Sequence, residues 1–233
     1  MKFRLTLLLI LFPLISIFAQ TQRVKNNPYI DQRRIHYGFM IGVQSQDLNI
    51  SHSGKVQENG EKWFAEIPSF SPGFSVGLVG DYAFTESLNL RFTPTLHFGN
   101  KTITFIEETS KETVTQDLKS NYIAAPVSIR YSALRLNNYR PYIMTGIAPM
   151  FDLSKRKETP ITLKKYDLCF EIGIGCDLYL PYFKLIPELK FSLGLLNVIQ
   201  KDRKDFRDES MIKYTDAIES AKSNMVTLSF YFE

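Results

Sequence analysis

The sequence has few of the residues on which disulfides and metal sites depend: two cysteines and three histidines in 233 residues. Cys169 and Cys176 lie in one predicted strand, which places them on opposite faces and about 23 Å apart. A disulfide needs Cα atoms within about 7 Å. We therefore expect no disulfide between them and no cysteine-based metal site. His36 and His97 have no further ligands at matched spacing, so we predict interior hydrogen bonds for both and a solvated loop position for His52.

The sequence also lacks a long hydrophobic run. Beyond its N-terminal 19 residues, no segment approaches the roughly 20 apolar residues of a membrane-spanning helix. At the N-terminus, Lys2 and Arg4 precede the apolar stretch Leu5–Phe18, and Ala19 provides a small residue for cleavage. This arrangement is typical of a signal peptide, and the apolar stretch is too short for a membrane anchor. We expect residues 1–19 to be a cleaved signal peptide.

Strong net charge and enzyme motifs are absent as well. The formal net charge of +4 falls to +2 without Lys2 and Arg4, which argues against a nucleic-acid partner. The sequence contains no phosphate-binding glycine loop, GxSxG or HExxH motif, and Ser51, His52 and Ser53 suggest catalysis only by being adjacent. We expect no catalytic residue, no cofactor, no metal and no small-molecule substrate.

What the sequence does contain is alternation. Eight segments repeat apolar and polar residues with a period of two, which predicts β-strands. In the clearest segment, Leu88, Leu90, Phe92, Leu96 and Phe98 alternate with Asn89, Arg91, Thr93, Thr95 and His97. The segments cover 35–44, 73–81, 88–98, 122–131, 141–149, 167–178, 184–193 and 225–232. In the fifth segment, Ile143 and Ile147 fit either face.

Short and long connections alternate between these segments. The short ones lie near Thr85–Ser87, Leu136–Tyr139 and Leu180–Tyr182, and the long polar ones cover 45–69, 100–119, 151–166 and 197–223. This asymmetry is typical of membrane barrels. The prediction is an all-β, eight-stranded antiparallel transmembrane β-barrel with short periplasmic turns and four long external loops. Residues 20–33 would form a periplasmic N-terminal segment, residues 34–233 the outer-membrane barrel domain.

The two faces of the strands differ in a way that favours lipid outside. One face is almost wholly aliphatic and aromatic, and the other carries Gly, Ser and isolated charges that suit a crowded interior. The predicted lumen charge network consists of Arg91, Arg130, Glu171, Asp177, Lys184, Glu188 and Lys190. We expect these charges to pair, because desolvation is costly, and to leave no pore. The predicted interfacial aromatic girdle consists of Tyr82, Phe84, Tyr131, Tyr179 and Tyr182.

Several motifs resemble those of a known family. These are Asn27-Pro28-Tyr29-Ile30-Asp31, Arg34-Ile35-His36-Tyr37-Gly38-Phe39, Tyr122-Ile123-Ala124-Ala125-Pro126-Val127, Arg140-Pro141-Tyr142, Pro187-Glu188-Leu189-Lys190-Phe191 and Gly194-Leu195-Leu196-Asn197. In this order and spacing they resemble PorT-family outer-membrane proteins over nearly the whole mature chain. The resemblance implies a role in the type IX secretion system, which exports large proteins across the outer membrane. It supplies no catalytic residue.

The last long connection carries apolar residues near helical spacing within the charged stretch Lys201–Lys222. An amphipathic helix over the barrel mouth and a disordered surface loop both fit this pattern. We predict a partner-docking role for this loop, through Met211, Ile212, Tyr214 and Ile218. The expected partners are outer-membrane lipid and other secretion-machinery proteins. The alternatives are a small structural or adhesive barrel without a secretion role and a barrel enzyme.

Overall fold

The chain forms a closed antiparallel barrel with a smaller sheet beside one rim. The computed structural model describes residues 25–52, 54, 63–66, 72–107, 113–154, 163–200 and 218–233, so the predicted signal peptide lies outside the described residues. The strands are β1 (Ile35–His52), β2 (Trp63–Glu66), β3 (Pro72–Ala83), β4 (Leu88–Phe92), β5 (Thr95–Phe98), β6 (Asn100–Glu107), β7 (Thr113–Lys119), β8 (Tyr122–Ala124), β9 (Val127–Ser132), β10 (Tyr139–Asp152), β11 (Tyr166–Tyr179), β12 (Lys184–Gly194) and β13 (Ile218–Phe232).

The barrel closes because β1 pairs on one side with β13 and on the other with β3. Phe39 of β1 lies opposite Phe232, and Ile35 lies opposite Tyr82. Counting β4 with β5 and β8 with β9 as single interrupted strands, the ring has eight antiparallel members, which confirms the predicted fold class. One 3-10 turn, Ile30–Gln32, precedes β1. Within the described part of the chain, no helix has the length and apolar character needed to cross a membrane.

Two prolines explain why the third and fourth members of the ring are interrupted. Proline has no backbone N–H to give to the ladder, and Pro94 and Pro126 lie at the two breaks. Their carbonyl groups still accept hydrogen bonds from neighbouring strands, from Leu78 N at 3.0 Å and from Thr93 N at 3.1 Å. The ring therefore stays hydrogen-bonded at both interruptions.

The alternation in the sequence separates the two faces of the wall as expected. The outward residues of β1 are apolar and 46–81% exposed: Ile35, Tyr37, Phe39, Ile41 and Val43. In the clearest segment, Arg91 and His97 are buried inside, while Phe92 and Leu96 are exposed outside. A continuous apolar exterior of this kind is typical of a membrane-facing barrel.

The fifth predicted strand, β10, resolves the orientation that its sequence left open. Ile143 and Ile147 are 59% and 52% exposed and point outward. The inward positions carry no charge either, since they are Tyr142, Met144, Gly146 and Ala148. Both faces of this strand are therefore uncharged here, which is why alternation alone could not orient it.

Three of the predicted long loops are shorter than expected, because strands extend into them. In the predicted loop 100–119, residues 100–107 and 113–119 are the paired strands β6 and β7, to which β2 adds a third strand. The run Thr102–Ile106 is rich in β-branched and aromatic residues, which favour strands. The prediction gave too much weight to the polar residues around this run. Strand β1 continues to His52, which is therefore not a loop residue, and β13 begins at Ile218.

The short connections gather at one end of the barrel, the turn end, and the long ones at the other, the loop end. Of the predicted aromatic girdle, Tyr82, Phe84, Tyr131 and Tyr182 are 40–95% exposed on the outer side of the turn end. The prediction was wrong for Tyr179, which is 1% exposed. Tyr179 shares its face of β11 with Asp177, so its side chain points inward.

Candidate functional site in the barrel lumen

The structure places all seven residues of the predicted lumen charge network inside the barrel. Each is at most 3% exposed. They come from strands on different sides of the ring, and ion pairs join them across the interior: Arg91, Arg130, Glu171, Asp177, Lys184, Glu188 and Lys190. Buried charges without partners would cost several kcal/mol each, so this pairing allows the polar interior to form.

Arg91 is the centre of the network. Its Nε lies 3.0 Å from Asp81 Oδ2, its Nη1 3.3 Å from Glu188 Oε2 and its Nη2 3.4 Å from Glu233 Oε1. One guanidinium therefore joins β4 to its neighbour β3 and to β12 across the lumen. The guanidinium carbon also lies 4.7 Å from the centre of the Tyr231 ring, close enough for a cation–π contact.

A second group of charges lies beside Arg91, closer to the turn end. Arg130 Nη2 lies 2.6 Å from Asp177 Oδ2, and its guanidinium carbon lies 4.1 Å from the centre of the Tyr142 ring. Lys184 pairs with Glu233 and lies 3.9 Å from Asp177. These side chains and the Arg91 group fill the cross-section of the barrel near the turn end.

Sequence reasoning missed four members of this network. Asp81 and Glu233 supply carboxylates to Arg91. Tyr142 and Tyr231 donate hydroxyl hydrogen bonds of 2.6 and 2.8 Å to Glu188. Asp81 and Tyr231 fall on the polar side of the alternation in their segments, so the sequence carried a signal for both. Tyr142 carried none, because its segment could not be oriented from the sequence.

Nearer the loop end, the lumen holds neutral polar contacts and one more ion pair. Lys190 Nζ lies 3.2 Å from Glu171 Oε2, and Ser192 Oγ donates to Glu171 Oε1 at 3.1 Å. His97 Nδ1 lies 2.8 Å from Ser75 Oγ, and Ser75 Oγ also donates to the Gln44 amide oxygen at 2.7 Å.

The Ser75–His97 contact does not have the geometry of a catalytic triad, because Ser75 Oγ and Gln44 Oε1 both contact the same ring nitrogen, His97 Nδ1. In a triad the serine contacts Nε2, and a carboxylate on Nδ1 orients the histidine. Among the described residues, no group of three or more His, Cys, Asp or Glu side chains could hold a metal ion. His36 is half-buried on the inward face of β1. The lumen is therefore arranged for internal pairing.

The segment before β1 covers the turn end of the barrel. Asn26 Nδ2 donates to Tyr179 O at 2.9 Å, and Asn27 Nδ2 donates to Leu180 O at 3.0 Å. Asp31 accepts a 2.6 Å hydrogen bond from the Tyr179 hydroxyl and pairs with Arg135 at 3.2 Å. These contacts link the N-terminal segment to the turns that close the barrel, and we call residues 26–31 the N-terminal clasp.

The predicted docking loop lies mostly outside the described residues, as do Met211, Ile212 and Tyr214. Ile218 is described, and it is the first residue of β13 with 1% of its surface exposed. From Ile218 to Lys222 the chain is neither of the two expected forms, a helix or a disordered loop, because these residues pair with β1 in the barrel wall. Ile218 is therefore a wall residue with no surface to offer a partner.

Comparison with known proteins agrees with this architecture. A family model described as outer membrane protein beta-barrel domain matches residues 18–200, most of the chain. The chain belongs to this family. As a member of the outer membrane protein beta-barrel domain family, it is an outer-membrane protein. No curated protein matches the sequence.

The chain is also similar to several solved structures. OprG from Pseudomonas aeruginosa shares 14% identity over 85% of this chain and 92% of its own, with a TM-score of 0.40. Ail from Yersinia pestis shares 12% identity over 86% of this chain and 99% of its own, with a TM-score of 0.37. AlkL, solved in DMPC lipid bilayers, shares 11% identity over 92% of this chain and 94% of its own, with a TM-score of 0.40.

The filled lumen predicts that this outer-membrane barrel conducts no ions. An eight-stranded barrel is just wide enough for side chains, and here paired charges and tyrosines occupy the interior. In planar bilayers, the purified protein should give no large, stable open-channel steps. Replacing Tyr142, Glu188 and Tyr231 together by alanine should raise the conductance, because these side chains meet in the lumen. Stable channels in the unmodified protein would contradict the paired interior.

Proposed function

We propose that this barrel is a non-enzymatic outer-membrane component required for protein export by a type IX secretion system. The observation that carries the proposal is the place of the PorT-like motifs in the fold. Asp31 of the first motif pairs with Arg140 of the fourth at 3.4 Å, and Tyr142 of that motif donates to Glu188 of the fifth at 2.6 Å. Motifs far apart in sequence thus form one connected set of contacts, which supports reading them together.

Because the lumen is filled, we propose that the barrel acts by binding other proteins on its surface and not by passing cargo through its interior. Secreted proteins are far wider than the interior of an eight-stranded barrel. Two surfaces are available to other secretion-machinery proteins: the N-terminal clasp with the turns around it, and the sheet of β2, β6 and β7 at the loop end. The contacts of Gln44, Ser75 and His97 give no support to a hydrolase, so we propose neither a substrate nor a cofactor.

A deletion strain tests the proposal. Loss of this protein should abolish export of type IX cargo while outer-membrane integrity is kept, and the unmodified gene should restore export. Exported cargo measured in the culture medium by quantitative mass spectrometry is the readout. Normal export combined with a fragile envelope or lost adhesion would contradict the proposal and favour the structural or adhesive barrel.

A second complementing gene addresses the docking loop. Deleting residues 205–216 stops short of β13, so the barrel wall is kept. We expect this variant to assemble in the outer membrane but to restore export poorly. Affinity purification from detergent-solubilised membranes should recover other secretion proteins with the full chain and fewer with the variant. Full export by the assembled variant would remove the docking role.

A further inference from the structure

Three sulfur-containing side chains from three strands lie together in the lumen near the loop end. Cys169 of β11, Met150 of β10 and Met225 of β13 belong to one buried cluster, and each is at most 7% exposed. Cys169 Sγ lies 3.6 Å from Met150 Sδ. Gly194 lies opposite Cys169 on the intervening strand β12 and places no side chain between β11 and β13. Met225 therefore reaches the same space as the other two sulfur-bearing side chains.

This space also contains an amide that has no partner. Met150, Cys169, Met225 and Gln46 line one void of about 10 Å³, roughly the volume of a single small occupant. Gln46 is 5% exposed, and neither its Nε2 nor its Oε1 has a hydrogen-bond partner. Burying an amide without partners is costly, so an occupant that an amide oxygen can contact would stabilise this end of the lumen.

The donor set indicates the chemical class of that occupant. Thiolate and thioether ligands are soft and select monovalent copper over hard cations such as Mg²⁺ or Ca²⁺. With a metal–sulfur bond of about 2.3 Å, two sulfur ligands of a trigonal site lie about 4 Å apart. The observed separation of 3.6 Å between Cys169 Sγ and Met150 Sδ is close to that value. Small rotamer changes would accommodate a metal.

We propose that this cluster binds a soft monovalent cation, Cu(I) or its chemical analogue Ag(I). The ligands are the Cys169 thiolate and the Met150 and Met225 thioethers, with Gln46 Oε1 beside them. Binding replaces the thiol proton by the metal, without any redox step. The carboxylate of Asp167, whose Oδ2 lies 3.9 Å from Cys169 Sγ, can take the proton, and water then carries it away. The sequence-based exclusion of a cysteine site considered only a second cysteine as partner and overlooked the two methionines.

The test is Cu(I) binding to the purified, folded barrel in detergent, under ascorbate and in competition with a chromophoric Cu(I) chelator. We expect a single Cu(I) per barrel. Cys169→Ser should weaken binding more than about 100-fold, because even a residue that only supports a ligand is worth about 10- to 100-fold in affinity. Met150→Leu and Met225→Leu should each weaken binding by a smaller factor, since two sulfur ligands remain.

Two matched controls separate this site from general sulfur binding. Cys176→Ser changes the other cysteine, which lies seven positions along the same strand on its outward face. Met144→Leu changes a buried lumen methionine that belongs to a different cluster. Both should bind like the unmodified protein, and heat-dependent gel migration confirms that each variant is folded. Equal binding by Cys169→Ser, or no binding by the unmodified protein, overturns the proposal.

X-ray absorption of the loaded, unmodified barrel gives a measurement that does not depend on any variant folding. The proposal expects sulfur scatterers in the first coordination shell of copper, at about 2.3 Å. A shell made only of nitrogen and oxygen would overturn it. The inference does not depend on the proposed secretion role, since neither measurement involves export.

Discussion

Replacing Arg91 by methionine should destabilise the barrel by about 3–5 kcal/mol, the cost of removing one partner from a buried ionic network. Methionine keeps much of the side-chain volume but leaves Asp81, Glu188 and Glu233 without the guanidinium that joins them. Three carboxylates would then share a buried lumen with less positive charge. We expect this to be one of the largest effects of any single substitution in the protein.

Urea unfolding of the barrel in detergent, followed by heat-dependent gel migration, measures this effect. Arg33→Met is the matched control, because Arg33 is exposed at the turn end and surface charges contribute little. Adding Glu188→Gln to Arg91→Met should restore part of the loss, since one unpaired charge is removed. A stability for Arg91→Met within about 0.5 kcal/mol of the unmodified protein, the range of ordinary surface substitutions, would refute the role of the network.

Replacing Ile172 by arginine should destabilise the membrane-inserted barrel by about 2–4 kcal/mol, the cost of a cation on the lipid face at the bilayer midplane. Ile172 lies near the middle of β11, is 50% exposed and points outward. If water surrounded the wall, replacing a half-exposed isoleucine by arginine would change the free energy of unfolding very little. The substitution therefore distinguishes a wall that faces lipid from one that faces water.

Refolding into lipid vesicles, with equilibrium denaturation, measures this difference. Tyr182→Arg is the control for added charge, because Tyr182 is 95% exposed in a turn outside the apolar band, where the expected cost is about 0–1 kcal/mol. Ile172→Leu controls for altered packing. Equal stabilities of the Ile172→Arg and Tyr182→Arg variants would show that water, not lipid, surrounds the wall at this height.

Alternation predicted most of the fold because the two faces of most strands differ in chemistry. Segment 88–98 is the clearest case, with its charged and small polar residues all inside. Strand β10 could not be oriented in this way, since Tyr142 and Met144 inside are as apolar as Ile143 outside. Its orientation depends on its register with the neighbouring strands, for example Ser128 opposite Gly146. That register is known only once the sheet has folded.

The candidate site was only partly predictable for a related reason. Charged residues in alternating strands must point inward, so the seven lumen charges could be found from the sequence. Which charges meet depends on the closure of the ring. Arg91 and Glu233 are 142 positions apart in the sequence, yet Arg91 Nη2 lies 3.4 Å from Glu233 Oε1. Tyr179 was misassigned because its aromatic ring suited an interface, whereas its side chain is buried and its hydroxyl group donates to Asp31 of the N-terminal clasp.

The distribution of the ion pairs along the chain has a consequence for insertion into the membrane. Arg91 and Arg130 belong to the first half of the barrel, and their partners Glu188, Glu233 and Asp177 belong to the second. A half-inserted wall would thus hold two arginines against hydrocarbon with one carboxylate, Asp81, to pair with both of them. Insertion should therefore be all-or-none: both halves enter together, and a stalled intermediate is too costly to accumulate.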